Sequence, residues 1–306
     1  METYTFVVSE DYTGERADKY LADLMPSSSR SYIQKLLKGG CALLNDKAVK
    51  SSTRIEAGDT LLLQVPDPIE INIEAQDIPL DIAYEDQDFL IVNKPKGMVV
   101  HPAPGHYTDT VVNAVMYHCD NLSGINGILR PGIVHRIDKD TTGLIVICKN
   151  DAAHNNIAAQ LKDHDIERTY HCIVVGNIKE DEGTIDRPIG RSVNDRKKMA
   201  ISESGKRAVT HFKVLERFGN YTYIKCNLET GRTHQIRVHM ASINHAILGD
   251  EVYGCKSSNY KTNGQVLHAK TLGFMHPSTN EPVVFDSELP EYFNNIIKDL
   301  RQRASK

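Results

Sequence analysis

Residues 132–148 constrain the fold more than any other stretch. Gly132-Ile133-Val134 is a β-branched run, and Leu144-Ile145-Val146-Ile147-Cys148 is a second apolar run. Between them lies a polar turn ending in Gly143. That order predicts two strands with a charged loop at their tip. The loop holds His135, Arg136, Asp138, Lys139 and Asp140 within six residues. A solvated turn with local ion pairs would explain such charges taken alone. Charged groups held at a loop tip by rigid strands are also where sites are built, and the rest of the chain favours that reading.

At 306 residues the chain is long enough for two domains, one with a sizeable core. Its formal net charge of −4 does not mark a nucleic-acid binder, so any RNA-binding surface must come from local clustering. The sequence has no apolar run of the ~20 residues that span a bilayer, and its first residues lack a signal-peptide pattern. Six cysteines are scattered singly, which fits reduced thiols in the cytosol. Thirteen histidines form no H-E-x-x-H or similar set. The expectation is a cytoplasmic monomer without metal, cofactor or membrane.

Residues 1–66 read as a small module. Apolar spacing in 16–25 predicts a helix, residues 26–29 break it, and 30–37 give a second helix ended by Gly39-Gly40. Short strands follow near 41–44, 48–49 and 60–65. From Ser27 to Arg54 six basic residues (Arg30, Lys35, Lys38, Lys47, Lys50, Arg54) face one acid, Asp46. Arg30, Lys35 and Lys38 are therefore candidate phosphate contacts. Residues 67–88, with Pro68, Pro79 and eight acids, read as an acidic extended linker.

Residues 89–306 read as the larger domain. A β-hairpin is expected over 89–102, turning at Pro95-Lys96-Gly97, then a helix over 110–119 capped by Asp109. A helix at 151–162 and a strand at 167–175 come next. Residues 187–217 form a second positive patch, and strands are expected at 208–215, 221–228 and 266–274. Thr233 is the expected cap of a helix running to Met240, and residues 291–303 close the chain as a helix. Strands dominate without regular βαβ alternation. The expected class is α+β, with a mixed, mainly antiparallel sheet.

Three polar residues sit beside apolar runs that would hold them rigidly: Asp138, Tyr170 and Arg237. A carboxylate that attacks carbon must be ionised, and a guanidinium beside it favours that form and fixes its orientation. A tyrosine over the same site suits stacking on a planar substrate and proton transfer. By spacing alone, interior Asp–Arg pairs are often structural and a strand tyrosine is more often core.

The motifs H-R-I-D-K-D-T-T-G-L, V-N-K-P-K-G-M-V-V-H-P, E-R-T-Y, G-R-T-H-Q-I-R-V-H and L-H-A all occur in this chain. Together they resemble the RluA-type pseudouridine synthases from about Leu80 to Pro290. The N-terminal module resembles the S4-type RNA-binding domain that ribosomal-RNA members often carry. The resemblance implies that Asp138 is the nucleophile at the uridine. It implies that Tyr170 stacks on the base as a proposed proton acceptor and that Arg237 pairs with Asp138. Arg136 is implied to replace the flipped uridine in the RNA stack. His135, Lys94 and Arg232 complete the candidate RNA contacts, and large-subunit (23S) ribosomal RNA is the expected partner. Lys139 and Ile137 stand where relatives often have arginine and leucine, which keeps charge or bulk.

Other classes fit less well. A kinase reading of H-R-I-D fails because the aspartate is one residue late and no glycine-rich loop precedes it. A glycosidase reading lacks aromatic sugar platforms, since the chain has no Trp. The alternatives left open are a non-catalytic RNA-binding or assembly factor on the same fold and a transfer-RNA pseudouridine synthase.

Overall fold

The computed structural model describes residues 2–25, 30–65, 73–103, 106–125, 131–195, 198–254 and 260–305, with only the backbone of Ser31 and Lys35. The helix break at 26–29, Pro66, Pro68 and the Lys35 side chain therefore lie outside the described residues. Two compact units emerge, Met1–Ile71 and Asn72–Lys306.

The first unit pairs two helices with a small antiparallel sheet. Its strands are β1 (Glu2–Val7), β2 (Ala42–Leu44), β3 (Lys47–Ala48) and β4 (Thr60–Val65), in the order β1-β4-β2-β3. The helices are α1 (Ala17–Leu24) and α2 (Arg30–Lys38). Tyr20, Leu21, Ile33, Leu37, Leu61 and Leu63 share one apolar core. Beside it Asp18 is fully buried. Burial alone would raise its pKa, but bonds from Arg16, Gln34 and Arg30 outweigh that and hold the carboxyl well below its usual range. Arg30 remains exposed to solvent but is not free of other work. One edge of its guanidinium ties α2 to α1, with Nη2 3.1 Å from Asp18.

The second unit is built on one long sheet. Its strands are β5 (Ile82–Glu85), β6 (Phe89–Lys94), β7 (Thr142–Cys148), β8 (Glu167–Val175), β9 (Glu182–Asp186), β12 (Val209–Arg217), β13 (Tyr221–Leu228), β14 (Leu267–Met275) and β15 (Pro282–Asp286). A separate hairpin pairs β10 (Ile189–Arg191) with β11 (Met199–Ile201). The order is β5-β6-β7-β14-β8-β13-β12-β9, with β15 on β14. Among the described strands only β7 and β14 run parallel; the class is mixed, mainly antiparallel α+β, as expected. Helices α3 (Val111–His118), α4 (Asp151–Asp163), α5 (Gln235–Ser242) and α6 (Glu291–Ala304) complete the unit.

Strand β7 is buried along its whole length, which is why its sequence is continuously apolar instead of alternating. Leu144, Val146 and Cys148 pack with Phe89, Ile91 and Ile157 of α4. Helix α6 covers β8 and β13 through Phe293, Ile296 and Leu300. Each such burial contributes roughly 1.5–3 kcal/mol. Gly143 is required where β7 meets β14. Its φ is +109°, and an added Cβ would lie 2.2 Å from the Ala269 carbonyl oxygen.

Four expectations need correction. Residues 89–102 form no hairpin, because β6 already has partners on both edges, β5 and β7. Gly132-Ile133-Val134 is not a strand; Ile133 makes only an isolated bridge to Ile147. The acidic stretch to residue 88 is not all linker. Ile73 is buried and β5 forms the sheet edge, where exposed acids are easily solvated. Both helix caps also shift by one. Thr110 caps α3 in a reciprocal box with Asn113, and His234, not Thr233, caps α5.

Candidate active site

The charged loop before β7 is held from beneath by Lys94. This side chain is fully buried, and its Nζ donates to the carbonyls of Pro95 (2.8 Å), Met98 (2.8 Å) and Lys139 (2.9 Å). Burial pulls its pKa down to about 7. The reading of Lys94 as an RNA contact is thereby corrected: it is the peg of the loop. Thr141 returns its N–H to the Asp138 carbonyl (3.1 Å), and Gln265 donates to Thr141 Oγ1 (3.1 Å). His135 also turns inward. Its Nε2 accepts the Val146 N–H at 3.1 Å, and burial pushes its pKa down to about 3. It is a neutral acceptor that fixes the loop, and its partly buried ring also lines the cavity beside the Asp138 pocket.

Asp138 is thus presented at one point. Arg237 Nη1 donates to its Oδ2 at 2.9 Å, and His234 Nε2 lies 3.8 Å from its Oδ1. Arg237 comes from the buried face of α5. Its Nε and Nη2 grip Asp250 at 2.7 and 2.9 Å, while Asp250 also accepts the N–H groups of Val252 and Tyr253. Burial would lower the pKa of Arg237, but Asp250 and Asp138 raise it above its ordinary value. Tyr253 lies under the same guanidinium, 5.1 Å from ring centre to Cζ. Its hydroxyl accepts the Met199 N–H (2.9 Å) and shares a 2.8 Å hydrogen bond with His234 Nδ1. His234 sits in the left-handed region at φ 57°. Burial lowers its pKa, so the ring is neutral at pH 7.

Tyr170 enters from β8, where it pairs with Cys226 and Ala269. It lines one pocket with Asp138 and Arg237, against Leu228, Ile236 and Leu267. Burial raises its pKa, so it remains a phenol. Arg136 borders this pocket and two adjoining cavities. Arg232 is half-buried on the same rim, its Nε donating to the Arg207 carbonyl (2.9 Å). The structure therefore brings Asp138, Tyr170, Arg237, Arg136 and Arg232 together. Lys38 is exposed in the first unit. Two groups among the described residues, Glu85-His118-Cys119 and Asp86-Asp88-His276, are close enough to hold a cation. Neither lines the pocket of Asp138.

Sequence reasoning missed Asp250, His234 and Tyr253. The available signal was Gly249-Asp250-Glu251-Val252-Tyr253-Gly254, an acid and a tyrosine bracketed by glycines. The arrangement is a carboxylate with one fixed cation, facing a phenol across a slot with apolar walls. It suits attack on a flat, polar ring that is held rather than released.

Comparison with known proteins agrees with this chemistry. Residues 88–242 match the RNA pseudouridylate synthase family, and residues 15–61 match the S4 domain. An uncharacterised RNA pseudouridine synthase of Bacillus subtilis (strain 168) is 50% identical, over 99% of this chain and 100% of its own. The ribosomal large subunit pseudouridine synthase D of Zymomonas mobilis is 46% identical, over 98% of each chain. The fold of human RNA pseudouridylate synthase domain containing 1 superposes with a TM-score of 0.56 at 24% identity, over 77% of this chain and 98% of that one. A pocket built around Asp138, together with these matches, makes the chain a member of the RNA pseudouridylate synthase family, an isomerase carrying an S4 domain.

Proposed function

We propose that this enzyme converts uridine to pseudouridine in large-subunit (23S) ribosomal RNA, with Asp138 as the nucleophile, Arg237 as its partner and Tyr170 as the platform for the base. The observation that carries the reading is the pairing of Asp138 with Arg237 in a pocket that Tyr170 also lines. The ribosomal assignment rests on the similarity to relatives named for the large ribosomal subunit and on the S4 domain.

The reaction breaks the bond between uracil N1 and the ribose, turns the base and joins it through C5. A stacked base is out of reach, so the nucleotide leaves the helix, and Arg136 at the pocket mouth fills the gap and meets phosphate. Asp138 then acts on the nucleoside, through a covalent adduct or by driving glycosidic cleavage. Apolar walls at Leu228, Ile236 and Leu267 keep the free base beside Tyr170 while it rotates. The proton leaving C5 must pass to an acceptor. A phenol whose pKa burial has raised makes Tyr170 better suited to stacking than to service as a free phenolate.

The test is tritium release from large-subunit ribosomal RNA transcribed with C5-tritiated uridine, using wild type and Asp138→Asn. Release by wild type alone is expected, and release by neither protein would favour the non-catalytic alternative. Carbodiimide-based primer extension on RNA from cells lacking the enzyme then locates the uridine. A missing pseudouridine in transfer RNA with none missing from 23S RNA would overturn the ribosomal assignment.

A further inference from the structure

We infer that the cavity beside the Asp138 pocket, bounded by Arg136, Lys162, Arg168 and Arg232, seats a backbone phosphate of the RNA strand next to the displaced uridine. The inference rests on the RNA isomerase reading and names where the flanking strand is gripped. The cavity has a volume of about 480 Å³ and shares Arg136, Asp138, Tyr170, Leu228, Arg232 and His234 with the uridine pocket. A strand delivering its base to Asp138 therefore has this space beside it.

The decisive residue is Arg168. It lies two positions before Tyr170 on β8, so both side chains leave the same face of the strand. Arg168 is only 7% exposed. Its Nη2 donates to the Glu229 carbonyl (2.9 Å), and its Nε has no hydrogen-bond partner among the described residues. A Cβ on Gly231 would lie 2.7 Å from its Nη1, so the guanidinium is set into the cavity wall beside that glycine.

Burial disfavours the Arg168 cation, Tyr170 offsets part of that and the nearby Arg232 charge adds to it; the hydrogen bonds that the two guanidinium groups make among the described residues go to the backbone carbonyls of Leu228, Glu229 and Arg207. Lys162 stands exposed at the end of α4 and, with Arg136, brings the cations on the cavity wall to four. Among the described residues the only acid lining the cavity is Asp138, which Arg237 already engages. Buried cations are ordinarily matched by a counter-charge. Here the one acid on the cavity wall is already engaged by Arg237, and a phosphodiester offers both the charge and acceptors that suit a guanidinium fork.

The experiment couples protein and RNA substitutions. The shortest large-subunit RNA fragment that releases tritium with wild type is made with a neutral methylphosphonate walked through the linkages around the target uridine. Binding is measured for wild type, Arg168→Met and Lys162→Met; the exposed Lys162 provides a variant free of folding risk. At one linkage within two nucleotides of the uridine, neutralisation should weaken wild type about tenfold and the variants about twofold or less. Additive losses at every linkage in both variants would overturn the phosphate seat while leaving the isomerase reading intact. Absence of turnover on every large-subunit fragment would instead remove the reading on which the seat depends.

Discussion

Arg237 gives its two-pronged grip to Asp250 and reaches Asp138 with a single nitrogen. The two bonds to Asp250 are 2.7 and 2.9 Å long, and both partners are buried. The guanidinium is therefore anchored by a carboxylate that does not line the pocket, and Asp138 meets a cation whose position is already set. Preorganisation of this kind spares the site from ordering a long side chain during the reaction.

Asp250→Asn should lower kcat about tenfold or more with little change in KM. Its amide nitrogen, in place of Oδ2, would face the Arg237 Nε–H, while its oxygen would still accept from Arg237 Nη2, Val252 and Tyr253. Steady-state tritium release checks this. A rise confined to KM would show that Asp250 supports RNA binding instead of Arg237.

Arg237→Met should do two kinds of damage. It removes the partner of Asp138, which should cost kcat about a hundredfold. It also strands Asp250 as a buried, unpaired charge, at a cost of roughly 3–5 kcal/mol of stability. The double variant Arg237→Met/Asp250→Asn should recover much of that stability and none of the activity, since only the stranded charge is removed. Denaturant unfolding and tritium release, run on all three proteins, separate the two effects. Arg232→Met is the contrast: on the cavity rim, it should mainly weaken RNA binding.

Deleting residues 1–71 should leave a folded isomerase that binds RNA less tightly. Among the described residues the core of the first unit is composed of its own side chains, from Phe6 to Val65. The exposed basic residues Lys38, Lys47 and Lys50 leave with the deletion. The salt dependence of binding should flatten by about 0.7 for each phosphate that those cations neutralise on single-stranded RNA. An insoluble product, or an unchanged salt slope, would contradict this.

The charged loop and the triple of Asp138, Tyr170 and Arg237 were legible because each lies in a short motif beside an apolar run. The direction in which basic residues point was not legible. Lys94 has the residue type of an RNA contact, yet it is fully buried on three carbonyls, while Arg30 and His135 also spend part of their bonding on Asp18 and the Val146 N–H. Local sequence carries charge but not burial, and burial depends on which strand arrives from far along the chain. Asp250 escaped notice for the same reason: only the return of the chain after α5 brings it against Arg237. Strands β5, β9 and β15 escaped because their largely exposed residues leave little apolar pattern to read.

His135 makes the site sensitive to acid through the fold itself. Its pKa is about 3 in the folded protein and about 6.5 in an unfolded chain. Above pH 6.5 the ring is neutral in both states, so its full contribution is present. Between 6.5 and 3 the unfolded chain takes up the proton that the folded state refuses, and stability falls as pH drops. The slope is at most about 1.4 kcal/mol per pH unit. His135→Gln keeps an acceptor for the Val146 N–H and removes the titration. Between pH 7 and pH 5, wild type should therefore lose about 2 kcal/mol more than the variant in urea unfolding. His171 and His268, pushed down to about 4, also weaken the fold in acid but act equally in both proteins. Parallel losses in the two proteins would mean that His135 already carries its proton in the fold, and that the bond from Val146 does not hold the loop.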